Sequence, residues 1–122
     1  MTIQELYENI GGNYAQAQKI MRMDKLIDRY IRKLSSSSIN EALKAAGEAM
    51  DPSGLFESAH AMKGVCANLG LDALAEAASE LSEEFRPGNP RRFSDEEVKA
   101  KLSRIDGMYR KVINGIDQYI NG

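Results

Sequence analysis

The sequence has a single cysteine and no long apolar run. These two features exclude a protein with an internal disulfide and a protein that spans a membrane. Because Cys66 has no second cysteine to pair with, the chain cannot form an internal disulfide, and we expect a reducing, cytoplasmic location. No apolar stretch is long enough to span a bilayer, so we expect no membrane association. The first residues also lack the basic and apolar segments of a signal peptide.

Histidine is equally scarce, and neither sign of charge dominates. One histidine and one cysteine cannot supply the closed ligand set of a zinc site, so we expect no metal centre. Lysine and arginine number 16 against 18 acidic residues, a net charge of -2, which argues against a nucleic-acid partner. Arg86, Arg91 and Arg92 surround the turn residues 87–90, and we interpret them as a solvated loop rather than a docking patch.

The 122 residues are enough for one domain with a core and too few for two, so we expect a single domain over residues 1–122. Helical signals run through nearly the whole chain, and no segment alternates with the period of two that a strand requires. Three capping boxes and one Asp-Pro pair predict helix starts. These are Thr2 with Glu5, Ser38 with Glu41, Ser94 with Glu97, and Asp51-Pro52.

Apolar residues recur in steps of three and four along each predicted helix. Outside the segment that follows Pro52, the stripes are Ile3, Leu6, Ile10; Ile20, Met23, Ile27, Tyr30, Leu34; Ile39, Leu43, Ala46, Met50; Leu71, Leu74, Ala78, Leu81, Phe85; and Val98, Leu102, Ile105, Tyr109, Val112, Ile116, Tyr119. The second stripe is either continuous or broken near Asp24. Narrow stripes joined by short loops predict an all-α protein, an up-and-down antiparallel four-helix bundle with an additional N-terminal helix.

The helix predicted from Pro52 to about Leu69, with Gly70 as its C-terminal cap, carries the most informative pattern. At 100° per residue its apolar positions fall in a sector roughly 80° wide. They are Leu55, Ala59, Met62, Cys66 and Leu69. His60 projects about 140° from the centre of that sector and is therefore expected to be exposed.

Small residues and one cation surround this histidine. Gly64 lies one turn after His60, Ala67 lies two turns after it, and Lys63 lies on the flank at i+3. Each of these four residues could instead be an ordinary surface residue with no special function. Glycine inside a helix costs about 1 kcal/mol relative to alanine, so Gly64 indicates either close packing or a need for open space. Because it points the same way as His60, we favour open space, which suits phosphoryl transfer through a phosphohistidine.

The segment Ala59-His60-Ala61-Met62-Lys63-Gly64-Val65-Cys66-Ala67-Asn68-Leu69-Gly70 closely resembles the signature of histidine-containing phosphotransfer domains, which reads AH-x-L-K-G, then small residues, then N-L-G. A looser resemblance extends from about Ile20 to Tyr119. Met62 stands where leucine is common, and Val65 and Cys66 stand where smaller residues are common. Cys66 falls on the core face, and Val65 lies nearer the rim, where it could affect partner choice.

The resemblance implies a phosphorelay component. His60 would accept a phosphoryl group from a receiver-domain aspartate and pass it on, Lys63 would support the phosphate charge, and Gly64 would leave room. The implied partners are response regulator receiver domains and a histidine kinase, with Phe56 and Ala67 on the docking rim. No cofactor is expected, because the Mg²⁺ belongs to the receiver, and no autonomous kinase activity is expected.

Two other functions compete with this one. A non-catalytic receiver-binding module of the same fold would be expected to lack the histidine, which is present here. A fragment of a histidine kinase would need an ATP-binding domain, and no Gly-rich phosphate loop follows. Several short helices also fit a monomeric bundle better than the dimeric two-helix hairpin of a kinase.

Overall fold

The computed structural model describes residues 1–122 and consists of seven α-helices with no strand. The helices are α1 (Ile3–Ile10), α2 (Tyr14–Met21), α3 (Asp24–Ser35), α4 (Ile39–Ala49), α5 (Pro52–Asn68), α6 (Asp72–Glu84) and α7 (Asp95–Asn121). The predicted all-α class is confirmed. None of the helices has the length and apolar character needed to cross a membrane.

Helices α4 to α7 form a closed ring, in which each helix packs against the next and α7 packs against α4. Very short connections reverse the chain between α4 and α5 and again between α5 and α6. Along α4 and α7, Asn40 bonds to Asp106 while Gly47 lies against Leu102, so these two helices run antiparallel. The up-and-down four-helix bundle predicted from the apolar stripes is therefore present, with α5 and α7 on one diagonal.

The N-terminal addition to the bundle consists of three helices. Helices α1 and α3 pack on α7, and α2 packs on α3 and α5. Tyr7 donates a hydrogen bond to the Leu69 carbonyl at 2.7 Å, and Tyr119 donates one to Asp28 at 2.7 Å. These bonds attach α1 to the end of α5 and α3 to the end of α7.

The segment before α4 differs from the predicted stripe. Arg22 adopts a left-handed backbone with φ of 72° and breaks the helix there, so the helical count does not continue across it. Ile20, Met23 and Tyr30 are exposed, and their prediction as core positions was wrong. Within α3 the buried stripe passes through Ile31 rather than Tyr30. The buried residues of α2 and α3 are Ala17, Ile27, Ile31 and Leu34.

Two of the three predicted capping boxes form, those at Thr2 and Ser94. The box at Ser38 was wrong, because this residue has φ of -94° and ψ of 14° rather than the extended backbone that lets an N-cap side chain reach forward. The Ser37 hydroxyl accepts the Ile39 N–H instead. Asp51 does precede α5 as predicted, with Pro52 in the first turn, but its side chain makes no capping bond.

Helix α5 ends in a Schellman motif that explains the glycine after it. The Leu71 N–H donates to the Cys66 carbonyl at 2.9 Å, and the Gly70 N–H donates to the Ala67 carbonyl at 3.2 Å. Gly70 has φ of 69°, and a Cβ there would collide with the Asn13 carbonyl oxygen. Glycine therefore both terminates α5 and allows the start of α2 to pack closely against it.

The connection between α6 and α7 is anchored on a buried carboxylate. Glu84 accepts the Phe93 N–H at 2.7 Å and the Arg92 N–H at 2.8 Å, and Arg91 and Arg92 lie within ion-pair distance. Burial alone would raise the pKa of Glu84, but these bonds outweigh it and lower the pKa below its ordinary value. Two of the three loop arginines thus hold the loop to the bundle, a contact that the sequence analysis missed.

Candidate functional site

Helix α5 presents two distinct faces, as its sequence predicts. Its predicted core residues Leu55, Ala59, Met62, Cys66 and Leu69 are all buried. His60 is exposed on the other side, and its imidazole makes no hydrogen bond within the chain. Burial raises the pKa of the Cys66 thiol to about 12, so the cysteine is a packed core residue rather than a reactive group near the histidine.

The surface beyond His60 is open at Gly64. Gly64 is exposed, and a Cβ built on it would have no other atom within 4 Å. Of the two explanations for a glycine in this helix, close packing is therefore excluded. A partner could approach the imidazole along this side without meeting a side chain.

Lys63 supplies an unpaired positive charge beside the histidine. Its side chain is half-buried, and no carboxylate lies within 4.0 Å of its ammonium group. Glu83 of α6 is near enough to feel the charge: the hydrogen bond from Arg86 is the main reason that the pKa of Glu83 is lowered, and Lys63 adds to the effect. The ammonium group therefore remains available to an anion on the His60 face.

Phe56 lies one turn before His60 and contacts both the core and the histidine. It is half-buried and packs against the hydrophobic core. Its ring also stacks on the imidazole, with the centroids 5.6 Å apart and the planes at 23°. Ala67, two turns after His60, is half-buried as well, while Val65 is exposed.

Arg86, just after α6, also belongs to this face, although the sequence analysis interpreted it as part of a solvated loop. Its guanidinium lies over the Phe56 ring, 5.4 Å from the centroid, and its Nη2 donates to Glu83 at 2.7 Å. The spacing of Glu83 and Arg86 signals a local ion pair. Nothing in the sequence signals the contact with Phe56, because that contact depends on how α6 packs against α5.

The described residues contain no cluster of three or more histidine, cysteine or acidic side chains that could hold a metal ion. Five surface clefts lie away from the histidine, for example between α4 and α7, and none of these five is lined by His60. The histidine therefore lies on an exposed face of α5, outside these clefts.

The family model of the Hpt domain matches residues 14–114, which extend from α2 through most of α7 and include α4, α5 and α6 in full. The chain belongs to the Hpt domain family. Hpt domains are helical bundles that take part in phosphotransfer in two-component signalling, where they interact with the receiver domains and kinases of phosphorelays. No curated protein and no solved structure matched the chain.

Proposed function

We propose that this Hpt domain carries a phosphoryl group on His60 and shuttles it between receiver-domain aspartates, or from a hybrid histidine kinase to a response regulator. The observation that carries the proposal is the combination on one face of α5 of an exposed imidazole, an unpaired Lys63 and the open space over Gly64. His60 is also the only histidine of the chain.

The proposed step is a displacement at phosphorus. The lone pair of one imidazole nitrogen attacks the phosphorus of an aspartyl phosphate, and the bond from phosphorus to the carboxyl oxygen breaks. The electron pair leaves with the aspartate, which becomes a carboxylate again. The reverse step onto the aspartate of a second receiver regenerates the imidazole. The Mg²⁺ for both steps comes with the receiver, and this chain contributes no cofactor and no kinase activity of its own.

Lys63 and Gly64 have different roles in this proposal. The phosphoryl group on the imidazole is an anion, and the Lys63 ammonium can pair with it because no carboxylate of the chain occupies the ammonium. Gly64 leaves space in which the rim of the receiver's active site can close around the ring. Both roles rest on the positions of these residues around His60.

The receiver would dock on the surface around the histidine, with Phe56 and Ala67 on its rim. Both side chains are half-buried and apolar, and both lie on the exposed side of α5. An exposed helix face suits docking by a protein partner better than binding of a small molecule, because small molecules bind mainly in concave sites. We also propose that the protein is monomeric. We propose that it is cytoplasmic, because phosphorelay partners meet in that compartment.

The test is phosphate transfer from a receiver that carries labelled phosphate. The parent protein should become labelled with an acid-labile, alkali-stable phosphoramidate, and His60→Gln should not. A matched control moves the histidine: Gln4 is exposed on α1, so the double variant His60→Gln, Gln4→His restores an exposed imidazole elsewhere. This control should stay unlabelled. Label in His60→Gln would refute the assignment, and label in the double variant would show that exposure alone suffices.

A further inference from the structure

The orientation of the His60 ring is set by stacking rather than by hydrogen bonds. Neither imidazole nitrogen bonds to another group of the chain, so no donor or acceptor fixes the ring. The ring of Phe56 lies against it, with the centroids 5.6 Å apart and an interplanar angle of 23°. Such offset-stacked aromatic pairs have a preferred geometry and restrict the rotation of both side chains.

Phe56 is itself covered on the side of α6. The Arg86 guanidinium lies 5.4 Å from the centre of the Phe56 ring, a cation–π contact between α5 and the residues just after α6. Arg86, Phe56 and His60 therefore form a continuous series of stacked groups that begins just after α6 and ends at the imidazole.

Glu83 fixes the far end of this series. Its Oε1 accepts from Arg86 Nη2 at 2.7 Å and from Nε at 3.1 Å, so the guanidinium is held by two of its donors. Both side chains are more than 40% exposed, so the ion pair contributes little to the stability of the fold. What the pair does determine is the plane of the guanidinium and its place over the ring.

We propose that Glu83, Arg86 and Phe56 form a positioning stack that holds the His60 imidazole in the orientation from which it attacks phosphorus. The inference rests on the proposed function of His60 and adds three positioning residues to it. An aligned nucleophile reacts faster, because the rotational freedom that the reaction would otherwise remove is already lost. Phe56 thus acts before any partner has docked.

A small phosphodonor separates positioning from docking. Phosphoramidate needs no receiver: an imidazole nitrogen of His60 attacks its phosphorus, the bond from phosphorus to nitrogen breaks, and ammonia leaves with the proton released by the imidazole. The rate should fall about two- to tenfold in Phe56→Leu, which keeps apolar volume but removes the flat ring. Arg86→Gln should lower it less, by about twofold. Phe56→Tyr, which keeps the ring, should react at the parent rate, and so should Lys99→Ala, a control on the diagonal helix α7.

The imidazole can be observed directly, because His60 is the only histidine and its ring signals in NMR spectra are unambiguous. In the parent, the ring current of Phe56 should displace these signals from their positions in an unstructured peptide. Phe56→Leu should return them towards those positions, Phe56→Tyr should preserve the displacement, and Arg86→Gln should reduce it. These shifts report the stacked contact of the two rings, and the rates with phosphoramidate report whether that contact positions the imidazole.

The outcomes separate the inference from the function. Parent-like rates with phosphoramidate in Phe56→Leu and Arg86→Gln would overturn the positioning stack while leaving His60 as the phosphoacceptor. The same would follow if these variants only lost affinity for a receiver, which would assign Phe56 to docking. A parent protein that takes no phosphate on His60 from phosphoramidate or from any receiver would overturn the function and the inference together.

Discussion

The two cations on the His60 face differ in whether a carboxylate holds them. Arg86 is bound to Glu83, whereas Lys63 has no acidic group within ion-pair distance. A free ammonium group gains most from a new anion, because no existing ion pair must first be broken. At the scale of single residues, we therefore expect the Lys63 ammonium group to form an ion pair with a phosphoryl group on His60.

We expect Lys63→Ala to slow phosphate transfer from a receiver about tenfold, which corresponds to a loss of about 1.4 kcal/mol. Two unit charges about 4 Å apart attract each other by about 1 kcal/mol in water and by about 4 kcal/mol near a protein surface, so a loss of this size is expected. The free energy of unfolding should change by less than about 0.5 kcal/mol, because the lysine makes no ion pair in the fold. Lys63→Arg should retain most of the rate. Removing the same charge in Lys99→Ala should leave it unchanged. Parent-like transfer by Lys63→Ala across several receivers would contradict the electrostatic role.

At the scale of the helix, α5 contains a glycine that is unfavourable for folding and that we propose serves access to His60. Gly64 lies in the interior of the helix, is exposed and contacts no neighbouring side chain. Nothing in the packing of the bundle therefore requires a glycine there, although glycine weakens the helix. Helix α7 provides a comparison, because Gly107 is also exposed in a helix interior with open space around its Cα.

We expect Gly64→Ala to raise the free energy of unfolding by up to about 1 kcal/mol and to lower the transfer rate partially. Gly64→Leu should still fold but should block transfer, because its side chain would fill the space beside His60. Gly107→Ala and Gly107→Leu are the matched controls, and they should affect stability alone. Thermal unfolding measures the stability of all four variants, and transfer assays measure their rates. A Gly64→Leu protein that accepts phosphate at the parent rate would show that access does not depend on this glycine.

The connection between α6 and α7 depends on one buried acid, and its charge makes the stability of the connection sensitive to pH. The pKa of Glu84 in the folded protein is lowered, so the ionised form is favoured by folding. Its contribution is complete above the ordinary value of 4.5 and is lost as the pH falls below it towards the folded pKa.

We expect Glu84→Gln to lower the free energy of unfolding by about 2 kcal/mol at pH 7, because hydrogen bonds to a charged acceptor are replaced by weaker ones. The loss of stability between about pH 4.5 and lower pH should be smaller in the variant than in the parent. Denaturant titrations at several pH values measure both effects. Glu76→Gln, on the exposed side of the same helix, is the control and should behave like the parent. Identical acid profiles for parent and Glu84→Gln would contradict the assignment.

At the scale of the whole molecule, the core is completed within one chain. The ring of α4 to α7 closes on itself, and α1 to α3 cover further parts of α5 and α7. The exposed large apolar residues are few, namely Met1, Ile20, Met23, Tyr30 and Val65. A stable dimer of helical proteins generally buries a larger and more continuous apolar surface than these residues supply.

We therefore expect the protein to sediment as a monomer of about 13.5 kDa at micromolar concentration. A phosphoacceptor hairpin of a kinase would instead sediment as a dimer, because two of its helices cannot close a four-helix core alone. The measurement is sedimentation velocity over a range of concentrations. A concentration-independent dimer would contradict the self-contained bundle.

Local rules account for what could be predicted about α5. Its start at Asp51-Pro52, its end at Gly70 and its division into a buried and an exposed face follow from capping preferences and a period of 3.6 residues. The relative positions of His60, Lys63 and Gly64 follow from the same period, since all three lie on one helix. Neither inference requires knowledge of what the helix packs against.

Properties that depend on contacts between elements could not be predicted in this way. The sequence left open whether the second stripe is continuous or broken near Asp24, and the left-handed residue Arg22 shows that it is broken. The place of Arg86 over Phe56 depends on the packing of α6 against α5, which no spacing along the chain specifies. The sequence by itself therefore determined the helix class and the face that carries His60, through rules that act within a few residues. Only the tertiary structure decided that Arg86 lies over the Phe56 ring beside that histidine, because this contact joins residues that are distant in the chain.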